Sequence, residues 1–229
     1  MTPADPAKPS RFDLSTPEGR RAARRDLIWT DHGFLRARFS NFHWIEPGVM
    51  ARANQPSPRA IERYAREGFK TIINLRGPSD TGYYALEREA CAKHGLALVD
   101  ARMHSREPPK VDQILRAKEI FETIQYPALM HCKSGADRAG VMAVLYKHFK
   151  MGMPIEQATE QLDLKYLHVK QGKTGMLDFF FATYLDETKE TRKPFLAWVL
   201  EDYDQKKVKA AFMSEWWANI LVDKILRRE

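Results

Sequence analysis

The chain has 229 residues, 44% hydrophobic and 29% charged, the balance of a soluble globular protein with a sizeable core. No run of about 18 apolar residues is present to span a membrane, and the stretch Met1–Ser10 lacks the apolar segment of a secretory signal. Two cysteines, Cys91 and Cys132, do not make a disulfide framework, so a reducing cytoplasm is the expected setting. The net charge of +7 favours phosphate-bearing partners or an anionic surface; no nucleic-acid partner is assigned from it.

In chain order, residues 1–15 are polar and proline-rich and are expected to be disordered. Thr16-Pro17-Glu18 marks a helix start running into the Arg20–Arg25 cluster and Leu27–Trp29. That cluster reads as a solvated face in preference to a phosphate site. From residue 43 the pattern alternates between strand and helix. Ser57-Pro58 starts a helix that Gly68 closes, and 71–76 is a strand ended by Gly77-Pro78. Residues 83–94 form a helix stopped by Gly95, and 96–99 the next strand. A helix follows over 112–124, then a strand at 127–131 and a helix from about 139. Beyond 150 only helical patterns remain. Such alternation predicts an α/β fold with a mostly parallel central sheet flanked by helices, and a helical C-terminal extension.

The chemistry concentrates in His131-Cys132-Lys133-Ser134-Gly135-Ala136-Asp137-Arg138, between a strand and a helix. Loops at that place bind anions, because successive backbone N–H groups converge and the helix dipole adds positive charge. Gly135 lets the backbone turn tightly. Arg138 offers a planar fork for two phosphate oxygens. A cysteine in such a nest is held as the thiolate, the nucleophilic form. The stretch is suited to phosphoryl transfer onto sulfur.

These residues resemble the phosphate loop of the cysteine-dependent, Cys-x5-Arg phosphatases. The mid-chain cysteine, Asn74-Leu75-Arg76-Gly77 and the Ser105–Pro109 loop resemble the bacterial dual-specificity-like branch, over roughly residues 40–185. The resemblance implies a protein tyrosine phosphatase-like fold, with a phosphatase domain over 16–185 and a helical extension over 186–229 packed on it. It implies Cys132 as nucleophile and Arg138 as the group binding substrate and transition state. Backbone amides of Lys133, Ser134, Gly135, Ala136 and Arg138 would cradle the phosphoryl oxygens, and His131 would orient the loop. No cofactor and no metal is implied, and the seven histidines show no H-x-x-x-H or Cys/His grouping.

Two departures stand out. Family members usually carry Ser or Thr directly after the arginine, where a hydroxyl aids thiolate release; Ala139 has none. The usual upstream Asp general acid is also missing. Asp100 reads as structural, Ser105 stands where relatives have Asp, and Asp112 looks like a helix N-cap. Two candidates for the acid remain: Asp137, within the loop, is preferred, and Glu107, in the Ser105–Pro109 loop, is second. Lys133 with Asp137 resembles phosphatases that act on phosphoinositides or on both lipids and phosphotyrosine. Gln171–Gly175 lacks the glycine and strand of a nucleotide loop and reads as a helix-joining loop. Phe212–Glu229 carries a broad apolar stripe; packing on the domain or a second subunit is favoured over a peripheral membrane contact. The function expected is hydrolysis of phosphorylated proteins, with phosphorylated lipids or small molecules as the alternative. A catalytically weak phosphate-binding module is the alternative of another class. Oligomeric state is left open.

Overall fold

The computed structural model describes residues 10–36 and 40–226. Most of the stretch expected to be disordered, residues 1–9, lies outside the described residues. Helix α1 (Pro17–Arg25) runs into a π-helical turn (Asp26–Thr30) and the short α2 (Gly33–Arg36). Then come β1 (His43–Glu46), β2 (Met50–Ala53), α3 (Pro58–Arg66), β3 (Thr71–Asn74), α4 (Gly82–Lys93) and β4 (Ala97–Asp100). After α5 (Val111–Thr123), β5 (Ala128–His131) and α6 (Asp137–Phe149) the chain is helical: α7 (Ile155–Ala158), α8 (Met176–Glu187), α9 (Phe195–Glu201) and α10 (Gln205–Leu226). Two compact units result, Met1–Met103 with Glu122–Ala139, and His104–Phe121 with Gly140–Glu229.

The first unit holds a five-stranded sheet in the order β1-β2-β5-β3-β4. β2, β5, β3 and β4 run parallel, and β1 is antiparallel to β2. The fold class is therefore the expected one, α/β with a mostly parallel sheet. β2, β3 and β5 are buried at every position, as strands covered on both faces are. The β1–β2 hairpin was not resolved in the sequence pattern, although Pro47-Gly48 is a turn signal; its strands are short, and Arg52 interrupts the apolar run.

Local signals set the helix starts. Thr16 Oγ1 accepts from the Gly19 N–H at 3.0 Å, and Ser57 Oγ from the Ala60 N–H at 3.2 Å, each followed by proline at the first helical position. Ile61, Tyr64, Ala90 and Cys91 of α3 and α4 pack on Ala51, Ala53, Ile72 and Leu129 of the sheet. Burial of each larger side chain there contributes about 1.5–3 kcal/mol. Arg20 of α1 forks onto Glu89 of α4 at 2.6 and 2.8 Å, so one arginine of the basic cluster is a tether while Arg21, Arg24 and Arg25 are exposed.

Register places the polar strand ends. Asn74 lies level with both His131 and Asp100, so the three share one row on the face that carries Leu129 and Ile72. Arg52 pairs with Met130 one step back and points to the opposite face.

The second unit is built on aromatic packing. Phe180, Phe181, Phe195 and Trp198 are buried, with Phe180 and Phe181 centroids 4.8 Å apart. Pro108 and Pro109 present their carbonyls to Gln205 Nε2 at 2.7 Å and Tyr203 Oη at 2.8 Å. Val208 and Phe212 of α10 are buried, and Phe212 meets Phe179 of α8 at 5.7 Å. Lys173 lies 5.2 Å over the Trp216 ring, while Trp217 is 54% exposed. Side chains of the apolar stripe beyond residue 217 lie outside the described residues. Gln171–Gly175 contributes one 3-10 turn, Lys173–Gly175, ahead of α8. Asp112 is not an N-cap: it sits inside the first turn of α5, which begins at Val111.

Candidate active site

The loop after β5 is held in shape through its carbonyl groups. His131 O accepts from the Leu75 N–H at 2.9 Å, and Lys133 O from the Gln55 N–H at 3.3 Å. Ser134 O accepts from Asn41 Nδ2 at 3.0 Å. Gly135 O and Ala136 O both accept from Arg52 Nη2, each at 2.8 Å. In a trans peptide the C=O and the next N–H point opposite ways. With the carbonyls of 133–136 drawn outward, the N–H groups of 134–137 turn toward the loop interior, the arrangement an anion needs. The Ala136 N–H also meets Ser134 Oγ at 3.4 Å.

Gly135 has φ +76°, and a Cβ there would stand 2.7 Å from Ala53 C and Asn54 N. Only glycine fits between the loop and the end of β2. Cys132, 1% exposed, lies at the base of the loop, directly after β5. Asp137 and Arg138 are the first two residues of α6 and are half-buried; the helix begins two residues earlier than the pattern indicated. Asp137 therefore adds an acidic group to a helix first turn, where the dipole favours it. Ala139 is fully buried.

His131 is wholly buried, with Nε2 2.6 Å from Oε1 of the equally buried Glu87 of α4. Beside them Asn74 Nδ2 donates to Asp100 Oδ1 at 2.8 Å, and the Tyr84 hydroxyl donates to Asp100 Oδ2 at 2.6 Å. Burial is the main force raising the Asp100 carboxyl above its ordinary range, against the lowering effect of those two hydrogen bonds. Burial likewise pushes the Cys91 thiol up to about 12, with Glu87 and then Asp100 adding to the effect.

Sequence reasoning missed Arg52, Asn41, Gln55, Glu87 and Asp31. Glu87 had a signal: it shares the buried face of α4 with Tyr83, Tyr84, Ala90 and Cys91, an acidic residue in an apolar stripe. Arg52 had a weaker one, a lone charge inside a strand. Lys133, 43% exposed at its side chain, is 3.5 Å from Asp31 Oδ1. Glu107 belongs to the second unit, where it pairs with Lys209 Nζ at 2.7 Å. The Lys209 hydrogen bond is the main cause holding its carboxyl below the usual range. A group so held is a poorer proton donor near neutral pH.

A loop fixed by its carbonyls at the carboxyl end of a parallel strand, with cysteine at its base and arginine on the following helix, defines a protein tyrosine phosphatase-like class. The family model described as "DSP-PTPase phosphatase fused to NAD+ Kinase" matches residues 46–177, more than half of the chain. The chain belongs to this family of DSP-PTPase phosphatases. No curated protein matches it. Among solved structures it is similar to a putative phosphatase (DUF442) from Shewanella putrefaciens at 15% identity, with a TM-score of 0.50, covering 70% of this chain and 96% of that one. It is also similar to Tk-PTP in its active form (20% identity, TM-score 0.47, 64% of this chain and 97% of that). For P. aeruginosa TpbA the figures are 16%, 0.48, 75% and 90%.

Glu87→Ala should leave His131 buried opposite a gap and cost about 3 kcal/mol in urea unfolding. Glu87→Gln should cost less. A loss within about 0.5 kcal/mol, the range of surface changes, would show that the pair does not hold the loop. Cys91 should stay unmodified when the native chain is treated with iodoacetamide at neutral pH, and peptide mass mapping would locate any label.

Proposed function

We propose that the chain hydrolyses phosphate monoesters through a cysteinyl-phosphate intermediate on Cys132. The observation that carries this reading is the outward capture of the carbonyls of Lys133, Ser134, Gly135 and Ala136, which turns the N–H groups of the same peptides toward the loop interior. The thiolate sulfur attacks phosphorus as the ester oxygen departs with its electron pair and takes a proton. Water then attacks the S–P bond's phosphorus, inorganic phosphate leaves, and the thiolate is restored. Arg138 binds two equatorial oxygens through both steps. Asp137 is the proton donor in this reading, because it stands within the loop, one residue before Arg138. The family description names dual-specificity protein tyrosine phosphatases, so phosphotyrosine-type protein substrates are the first to test.

Cys132→Ser should abolish turnover of para-nitrophenyl phosphate while vanadate still binds, since the amide nest and Arg138 do not need the sulfur. Residual hydrolysis above about a tenth of wild type, against the ~10²-fold or greater losses usual for a lost catalytic group, would remove Cys132 from the role. Asp137→Asn should depress alkyl phosphates, whose leaving oxygens are strongly basic, by ~10²-fold or more and aryl phosphates far less. Glu107→Gln should act equally on both and weakly. The reverse pattern would transfer the acid to Glu107.

Ala139 bears on the second step. Its lack of a hydroxyl favours a slow breakdown of the phosphoenzyme, seen as a burst followed by slow turnover. Ala139→Ser should raise the steady rate and diminish the burst. Wild-type kinetics with no burst would show that breakdown is not limiting.

A further inference from the structure

Beside the loop, two cations from different strand ends converge on one carboxylate. Arg76, in the turn after β3, places Nη2 2.6 Å from Asp31 Oδ1 and Nη1 2.9 Å from Oδ2. Lys133, the residue after Cys132, places Nζ 3.5 Å from the same Oδ1. Asp31 is 8% exposed, and it comes from the segment between the π-helical turn and α2, not from the sheet.

Arg76 does not depend on Asp31 for its position. Its Nη1 also donates to Gln55 Oε1 at 3.0 Å, and its guanidinium carbon lies 3.4 Å from the centre of the buried Tyr83 ring. Gln55 is itself bound to the loop, through its N–H on Lys133 O. The fork is thus built into the same framework as the phosphate loop. Asp31 is the replaceable part. The residue after it, His32, sits at φ +58°, a conformation unfavourable for a side chain with a Cβ.

We propose that Arg76 and Lys133 form a second anion subsite beside the phosphate loop, filled in the resting chain by the Asp31 carboxylate and taken over by the second phosphate of a bisphosphorylated small substrate. A carboxylate presents two oxygens and one charge to the fork; a phosphate monoester brings nearly two charges and three acceptor oxygens. Exchange of one for the other keeps Arg76 bidentate and strengthens the Lys133 contact. Because Lys133 follows the nucleophile directly, the two phosphates must be close on one scaffold, as on neighbouring carbons of a polyol ring. This inference rests on the phosphatase reading above and adds a substrate class to it.

The test measures binding by calorimetry in a Cys132→Ser background, with myo-inositol 4-phosphate and myo-inositol 4,5-bisphosphate as probes. Asp31→Asn should tighten the bisphosphate at least fivefold and change the monophosphate less than twofold. Adding Arg76→Gln should remove that gain and bring the bisphosphate preference below that of the Cys132→Ser parent. Equal changes for both ligands, or none, overturn the subsite. If Asp31→Asn does not fold, Asp31→Asn/Arg76→Gln, which removes both charges of the pair together, and Lys133→Met decide: the bisphosphate preference must fall in each, and its survival in either overturns the proposal. Failure of the phosphatase reading is seen separately, as absent turnover of para-nitrophenyl phosphate by the chain with Cys132 intact.

Discussion

The site depends on one buried cation. Arg52 is fully buried in β2, and a guanidinium there is unfavourable unless its donors find acceptors. Its Nη2 finds two of them, the carbonyls of Gly135 and Ala136, both at 2.8 Å. The bond is mutual in effect: the loop stabilises the cation, and the cation fixes which way two successive peptides face. Asn41 and the Gln55 N–H continue the pattern at Ser134 and Lys133. An anion arriving at the loop meets dipoles already oriented, so little reorganisation is required when phosphate binds. Gly135 completes the constraint, because the grip of Arg52 is possible only if the backbone lies against the end of β2.

A second layer lies behind this one. Row pairing puts His131, Asn74 and Asp100 side by side at the sheet's end, and α4 supplies Tyr84 and Glu87 to meet them. The same helix places Cys91 in the apolar core. The two thiols of the chain thus occupy opposite surroundings. Cys91 is packed among hydrophobic groups with Glu87 and Asp100 nearby, which suppress its ionisation. Cys132 stands beside inward N–H groups and the start of α6. The two differ in the polarity of what surrounds them and not in exposure, since both are equally hidden from solvent.

Much of this was legible in the residues. The strand–loop–helix setting of Cys132 and Arg138 followed from an apolar run, glycines and a renewed helical period, all local features. The N-caps at Thr16 and Ser57 were legible for the same reason. What escaped were partners brought from far along the chain. Arg52 stands 83 and 84 residues from the carbonyls it binds, and Asn41 is 93 residues from Ser134. Nothing in local spacing encodes such pairings; they arise from strand order. Asp31 is missed for a similar reason, since a turn aspartate looks alike whether it faces water or a guanidinium. The helix start at Asp137 was placed two residues late because Asp137 and Arg138 break the apolar period, although an acidic residue such as Asp137 is well suited to a helix first turn.

The general acid shows how the two candidates differ physically. Glu107 is fixed to Lys209 within the second unit, and recruiting it requires breaking an ion pair that favours its ionised form. Asp137 lies instead in the first turn of α6, in the same unit as the loop. It stands within the loop sequence itself, one residue before Arg138, so on the proposed function nucleophile, anion nest, fork and proton donor would all fall within residues 132–138. A site assembled from one continuous stretch, anchored from outside by Arg52, Asn41 and Gln55, would need no loop closure to become complete. The consequence is a trade in the opposite direction. On the proposed function a donor attached to the loop would not adjust to the leaving group, which would leave the choice of substrate to flanking charges such as Arg76 and Lys133, the two cations that meet Asp31.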